Sequence, residues 1–386
     1  MIQRRRHNVL LSMALLALGL SAGLARGEPG RFPEKQVDGA RLMYVNQVPI
    51  LSIQGSPKEM GGQLASLVGP ATGRLVDYPK QTFAHNGNND TWTRLIEAAR
   101  ALWPNIPAHH REEIDTVVRL AGVDRDALLA GNVMMDIYRG LGCSSLMVEP
   151  SRSATGGPLF GRNLDFFSNG YLHRYTLLTV YRPKDKHAFA SVGFAGLFGC
   201  LSGMNDAGLT LAVHEVLASR DGSRLFNPKG VPYTFALRRI LEECTTVDEA
   251  EKLIKSIERT TMYSIALCDQ KQAIVLEVTP KSVVRRKAIR GLCPCTNHFC
   301  SPQLIVFPFC KRFDTLVRDT VKRFSVDDVV GRMHAANMGR LTLQSMVFEP
   351  AGRRLHLAFG ELPASSGPFH QVDLKPLFKA AAAEHK

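Results

Sequence analysis

Gly142-Cys143-Ser144-Ser145-Leu146, followed by Gly161-Arg162-Asn163-Leu164-Asp165-Phe166, is the stretch on which the reading of this chain turns. A thiol sits directly after a glycine. A short loop follows, with Gly156-Gly157-Pro158 as its turn signal, and then an arginine with an aspartate three residues on. A thiol that attacks an amide needs a base, a positive field that favours thiolate, and donors for the oxyanion. Cutting the Gly142–Cys143 bond would supply the base, because a freed α-amine has a pKa near ~8 and is partly unprotonated at neutral pH. Arg162 is then the candidate for the positive field. Asp165 is the candidate for holding the amine or the arginine.

On either side of this stretch the pattern differs. From Pro57 to Tyr138 the chain reads as helical. Ser56 is an N-cap for a helix opening at Pro57-Lys58-Glu59. Asn89-Asp90 caps a second helix, through Trp92, Leu95, Ile96 and Ala99 to Trp103, which Pro104 ends. Ile114, Val117, Val118 and Ala121 mark a third, and Asp124 begins a fourth that runs to Ile137. After Cys143, short apolar runs punctuated by glycine read as strands: 144–148, 159–162, 175–181, 188–192 and 209–213. Helices at 232–243 and 247–258, a meander over 263–288, helices at 313–323 and 326–335, and a hairpin of 344–348 with 354–359 complete the pattern. The order predicts an α+β fold of sheets covered by helices. The Ala380–Ala383 run and the end at Lys386 read as a fraying tail.

The 386 residues, 45% hydrophobic, suffice for one large domain or two. Residues 1–27 predict an export signal: Arg4-Arg5-Arg6, an apolar run from Val9 to Leu24, and small residues at Ala22, Gly23, Ala25 and Gly27. The expected location is periplasmic or extracellular. An uncleaved membrane anchor is the alternative, since the apolar run nearly reaches spanning length. The net charge is +13. That charge suits either an ordinary basic surface, the preferred reading, or attraction to anionic substrates and envelope surfaces. No basic, aromatic-interleaved motif points to nucleic acid.

All eight cysteines lie at or after Cys143. Export permits disulfides. The group Cys293, Cys295, Cys300 and Cys310 lacks the paired spacing of a zinc site, so one or two disulfides are expected before a metal, with free thiols as the alternative. No metal or other cofactor is predicted.

The chain resembles the N-terminal-nucleophile hydrolases. A cysteine followed by G-R-N-x-D is shared by bile salt hydrolases, penicillin V acylases, acid-ceramidase-like amidases and acyl-CoA:6-aminopenicillanic acid acyltransferases. The last group fits best, because its nucleophile also lies mid-chain behind a long leader. The resemblance runs from about Ile53 to Leu374. It includes Gly55-Ser56-Pro57-Lys58-Glu59-Met60-Gly61, Ala121-Gly122-Val123, Met204-Asn205-Asp206-Ala207-Gly208-Leu209, Thr296-Asn297-His298-Phe299 and Gln344-Ser345-Met346-Val347-Phe348.

The resemblance implies a four-layer αββα sandwich. It divides the chain into the signal at 1–27, a helical leader at 28–142 and a catalytic region at 143–386. It implies that Asn297 donates to the oxyanion. Arg312 matches a downstream arginine of several members, with a surface arginine as the alternative. Glu215 departs from the bile salt hydrolases, which place an asparagine there; acid-ceramidase-like amidases also have a glutamate. Glu215 is expected to pair with Arg162, or to stay protonated if buried. His214 and His298 are set aside, since neighbours on a strand face opposite ways. The expected activity is that of an exported amidohydrolase or acyltransferase that cuts itself at Gly142–Cys143, keeps its leader bound, and acts on a small N-acyl amide. A papain-like thiol protease and a non-enzymatic, disulfide-stabilised envelope binding protein are the alternatives.

Overall fold

The computed structural model describes residues 32–83, 89–140, 142–318 and 321–379. The predicted export signal and C-terminal tail lie outside them. Three strands open the chain: β1 (Lys35–Val37), β2 (Ala40–Val45) and β3 (Val48–Gly55). Five helices follow: α1 (Pro57–Leu75), α2 (Tyr78–Phe83), α3 (Asn89–Leu102), α4 (Ala108–Ala121) and α5 (Arg125–Ile137). Local signals explain their starts. Ser56 and Glu59 form a reciprocal capping box on α1, and Asp124 accepts from Ala127 N to cap α5.

Beyond them come β4 (Gly142–Val148), β5 (Leu159–Asp165), β6 (Thr176–Pro183), β7 (Phe189–Phe194), β8 (Ser202–Asn205) and β9 (Thr210–Glu215). Helices α6 (Tyr233–Glu243) and α7 (Val247–Ser256) precede β10 (Tyr263–Cys268), β11 (Ala273–Val278), β12 (Val283–Lys287) and β13 (Leu292–Cys295). Last are α8 (Lys311–Val317), α9 (Val326–Ala335), β14 (Thr342–Glu349), β15 (Arg354–Phe359), β16 (His370–Asp373) and α10 (Lys375–Phe378).

The strands form two sheets. One has ten strands, in the order β1-β2-β3-β6-β7-β8-β9-β10-β11-β12; the other has six, β13-β4-β5-β14-β15-β16. Alternation along each strand separates three apolar layers. Ile50, Leu178 and Val192 of the large sheet meet Met147, Phe160 and Met346 of the small one between the sheets. Leu51, Leu211 and Ile265 turn the other way, onto Leu64, Ile114, Leu129 and Leu237 of the helices. Leu146, Leu159 and Val347 cover the far face of the small sheet against Leu316, Val329 and Met333. The result is the four-layer αββα sandwich.

The leader is more than helical. Its strands β1–β3 join the large sheet, where β3 runs parallel to β6 in register Ile50↔Leu178. Every residue of β3 from Val48 to Ile53 is buried, as a central strand requires. The helix expected over 313–323 is also corrected. It begins at Lys311 and ends at Val317, where Arg318 turns to ψ 117° and leaves helical geometry.

A buried ionic cluster ties the leader to the body. Arg238 of α6 binds Glu113 of α4 at 2.6 Å and Glu242 at 2.8 Å. Glu242 also receives His110 Nε2 at 3.0 Å and Lys186 Nζ at 2.8 Å. His109, His110 and Glu242 could in principle hold a metal, but Lys186 and Arg238 already occupy that carboxylate with positive charge. Burial, reinforced by Arg238, pushes the His110 pKa down to about 3. The unfolded chain binds that proton near pH ~6.5, whereas the folded chain does not until far lower, so stability is lost as pH falls from ~6.5. Wild type should therefore lose about 2 kcal/mol more than His110→Gln between pH 7 and 5 in urea unfolding. Equal losses would contradict a neutral, buried His110.

Candidate active site

The site grows from β4 and β5, paired antiparallel with Gly142 opposite Asp165, Cys143 opposite Leu164 and Ser145 opposite Arg162. Alternation on β5 divides the Gly161-Arg162-Asn163-Leu164-Asp165 stretch between two tasks. Gly161 and Asn163 serve the outer helix. A Cβ at Gly161 would lie 2.6 Å from Val329 and 2.7 Å from Met333, so only glycine lets α9 lie this close. Asn163 Nδ2 donates to Met333 O at 2.6 Å, and its Oδ1 accepts from Ser345 at 2.7 Å. Arg162 points the other way, between the sheets. It is fully buried; Nε donates to Ser202 Oγ at 3.1 Å, while Nη1 and Nη2 have no oxygen or nitrogen acceptor. The guanidinium charge acts on the buried Cys143 thiol and favours its thiolate form.

Cys143 is fully buried near the start of β4. Burial pushes its thiol up to about 12, and the Arg162 charge works against that rise. Its main chain is clasped from outside. Cys143 N donates to Asn297 Oδ1 at 2.8 Å, and Arg312 Nη1 donates to Cys143 O at 2.5 Å. Arg312 Nη2 also donates to Asn297 Oδ1, at 2.8 Å. Because arginine only donates, this contact fixes the orientation of the Asn297 amide. Arg312 Nη1 lies 3.5 Å from Asp165 Oδ2. Asp165 Oδ1 accepts from Thr342 Oγ1 at 2.5 Å. Burial raises the Asp165 carboxyl, opposed by the Thr342 bond and the Arg312 charge.

The structure thus gathers Cys143, Arg162, Asp165, Asn297 and Arg312 around one peptide. Arg312, open to a surface reading, is bound into this group. Asn297 has a different task in the uncut chain from the one expected: its Nδ2 donates to Glu215 O at 3.0 Å. Donation to an oxyanion would require that bond to break.

The expected Glu215–Arg162 pair is corrected. Alternation sends Glu215 to the helix side of the large sheet, where Oε2 accepts from Gly140 N at 3.1 Å and Oε1 from Tyr233 OH at 3.3 Å. Arg162 approaches from the inter-sheet side, which His214 faces instead. That ring is wholly buried, neither nitrogen has a hydrogen-bond partner, and burial with the charges of Arg162 and Arg312 holds it neutral. Glu215 therefore grips the segment that leads into the Gly142–Cys143 bond.

The Gly142 φ lies outside the left-handed region, so the bond does not depend on a conformation reserved for glycine. What glycine permits is closeness: a Cβ there would lie 2.8 Å from Met338 Sδ and 3.0 Å from the Asp165 Cβ.

Thr342, Ser202 and Tyr233 complete the site and were not singled out in the sequence. Thr342 and Ser202 occupy ordinary alternating strand positions, and Tyr233 opens a helix, so no local signal marks them. Of the two readings of the cysteines, the structure has the free thiols: all eight are unpaired, and the preferred disulfides are not formed.

Two clefts lie beside this centre. One is apolar and runs between the leader helices and the sheets, lined by Leu75, Leu128, Met135, Leu164, Phe166 and Leu201. Leu164 is the cross-strand neighbour of Cys143. The other is lined by Val216, Asn297, His298, Phe307, Phe309 and Arg312.

Residues 152–324 match the family described as acyl-coenzyme A:6-aminopenicillanic acid acyl-transferase. That span holds Arg162, Asp165, Glu215, Asn297 and Arg312, and begins after Cys143. No curated protein matches. Among solved structures, an N-acylethanolamine-hydrolyzing acid amidase ortholog from Caenorhabditis elegans is 18% identical, with 54% of this chain and 93% of that chain covered and a TM-score of 0.42. A conjugated bile acid hydrolase from Clostridium perfringens is 15% identical, covering 62% and 95% with a TM-score of 0.45. Penicillin V acylase from Agrobacterium tumefaciens is 12% identical, covering 60% and 86% with a TM-score of 0.43.

Proposed function

From the match of residues 152–324 to the acyl-coenzyme A:6-aminopenicillanic acid acyl-transferase family, we propose that the chain is an exported, self-processing cysteine amidase of that kind. The observation that carries this reading is the clasp on Cys143. Its backbone nitrogen already rests on Asn297 Oδ1 at 2.8 Å while its thiol faces the buried Arg162 guanidinium.

In the uncut chain the thiol attacks the Gly142 carbonyl carbon. The Gly142–Cys143 C–N bond breaks, a thioester forms, and the Cys143 nitrogen takes the proton. Water then hydrolyses the thioester. The freed amine is left beside Asn297, where it accepts the thiol proton as a base. Arg162 stabilises the thiolate, which attacks the carbonyl of an N-acyl amide. The ammonium returns its proton to the leaving amine, and an acyl-enzyme remains on Cys143. Water gives hydrolysis; an amine acceptor gives transfer. Export separates the protein from acyl-CoA pools, which favours hydrolysis. The apolar cleft beside Leu164 suits an aliphatic or aromatic acyl group, burying it at ~25 cal/mol per Å².

The leader remains with the catalytic fragment in this scheme. It shares backbone pairing of β3 with β6, the apolar helix layer and the Arg238–Glu113 pair. Release of free amine from a panel of N-acyl amides tests the activity. Turnover by the processed protein, absent from an unprocessed variant, supports it; an inert processed protein refutes it.

Glu215→Gln tests the grip on the leader segment. Among its bonds, the carboxylate accepts from Gly140 N and Tyr233 OH on separate oxygens. An amide offers one acceptor oxygen and turns an NH2 toward the other donor. One buried donor is left unmet, at about 1–3 kcal/mol. Self-cleavage, followed by gel densitometry, should slow by about tenfold or more. An unchanged rate would show that Glu215 does not position the bond.

A further inference from the structure

A second thiol group lies behind Asn297 and takes no part in the scheme above. His298 Nδ1 lies 2.8 Å from Thr296 Oγ1, and Nε2 lies 3.6 Å from Cys300 Sγ. The same ring shares a cleft with Cys310, the residue that precedes α8. Phe313 packs edge-on to the imidazole, with ring centroids 5.2 Å apart. Glu277 anchors the Cys300 loop, accepting from Cys300 N at 2.8 Å and from Ser301 N at 3.0 Å. One imidazole therefore bonds the Cys300 thiol and lies in the same cleft as Cys310. These two are half-buried, whereas the other six cysteines are buried.

An imidazole bonded to a thiol can take its proton and leave a thiolate–imidazolium pair. The charges around the group favour this. Burial alone would raise Cys310, but its bonds to His298 and Thr296, with the Arg312 charge, bring it to about 6. Burial alone would lower His298, but the two thiols raise it to about 9. Arg286 adds positive charge, its guanidinium 5.8 Å from the Phe313 ring centroid, and Glu277 lies 3.5 Å from Arg286.

We propose that Cys310, His298 and Cys300 form a redox-reactive dithiol site whose substrate is a peroxide. The Cys310 thiolate attacks one peroxide oxygen, and the O–O bond breaks. The departing hydroxide takes the imidazolium proton and leaves as water, so that Cys310 becomes a sulfenic acid. Cys300 sulfur then attacks the Cys310 sulfur; the S–S bond forms and the S–O bond breaks. The departing hydroxide keeps the hydrogen of the sulfenic acid, takes the Cys300 proton and leaves as water. The two sulfurs together lose two electrons, and the peroxide gains them.

Closing the bond brings the sulfurs to about 2.05 Å, which draws Cys310 past His298. Arg312, two residues on, holds Cys143 O and Asn297, so this movement would loosen the clasp. The effect on turnover rests on the amidase reading; disulfide formation does not.

The test is hydrogen peroxide treatment of the purified protein, blocking of remaining thiols, and peptide mass spectrometry. The expected product is a Cys300–Cys310 cross-linked peptide, lighter by two hydrogens than the reduced pair. Cys300→Ser should stop at the sulfenic acid, trapped on Cys310 by dimedone. Without peroxide, the rate of Cys310 alkylation should rise with a midpoint near pH ~6 in wild type and near ~8.5 in His298→Gln. A wild-type midpoint at the ordinary thiol value, or peroxide treatment without the cross-link, would overturn the proposal.

Discussion

Cys143→Ala is expected to remain one uncut chain and to release no amine from any N-acyl amide. Both steps need a nucleophile at the same point, and alanine has none. The change should leave the fold intact. The site is already packed among Leu164, Arg162 and the sheet core, and removing one sulfur is small beside the cost of emptying a whole core side chain, about 2–5 kcal/mol. Cys143→Ser separates the steps, because a hydroxyl is the weaker nucleophile at neutral pH: slow cleavage with little turnover is the expected pattern. An alanine variant cut between Gly142 and Cys143 would show that an external protease makes the cut.

Arg162→Met is expected to lower kcat/KM by about a hundredfold or more, on the scale of losing one preorganised charge-stabilising donor. Arg162 is wholly buried, and only Nε has an oxygen partner, Ser202. Its terminal nitrogens have no hydrogen-bond partner, and its charge acts on the thiol. Burial already pushes Cys143 up to about 12, and Arg162 is the first force opposing that rise. Without it, the alkylation of Cys143 should require a higher pH, a change that a purely structural arginine would not cause. Thermal stability should change little, because replacing a buried charge with an apolar side chain of similar length is often neutral. Arg162→Lys should restore part of the loss, since the charge returns without the planar fork. Full activity in the methionine variant would remove Arg162 from the mechanism.

Much of the fold was readable because its periods are clean. The strands after Cys143 show short, mostly apolar runs, as strands buried on both faces do. The strands β1–β3 went unread. β3 contains Pro49 and is followed at once by the capped helix at Ser56, so its eight residues look like an entry loop. Only pairing with β6, more than a hundred residues later, makes them a strand.

The site shows the same limit. Cys143, Arg162 and Asp165 were visible because two adjacent strands carry them. Alternation correctly separated Glu215 from His214, but it could not say which side Arg162 would approach from. That depends on how the two sheets stack. The leader residue Gly140, rather than Arg162, turned out to be the partner of Glu215. Asn297 and Arg312 reach Cys143 from a loop and from α8, across more than 150 residues of sequence.

The central claim is that this chain makes its own nucleophilic N-terminus at Cys143. Intact-mass measurement of the purified wild-type protein under denaturing conditions tests it most directly. The account predicts two chains, one ending at Gly142 and the other running from Cys143 to Lys386, which co-elute when the same sample is kept native. A single chain spanning Gly142–Cys143 in a sample that turns over N-acyl amides would contradict it.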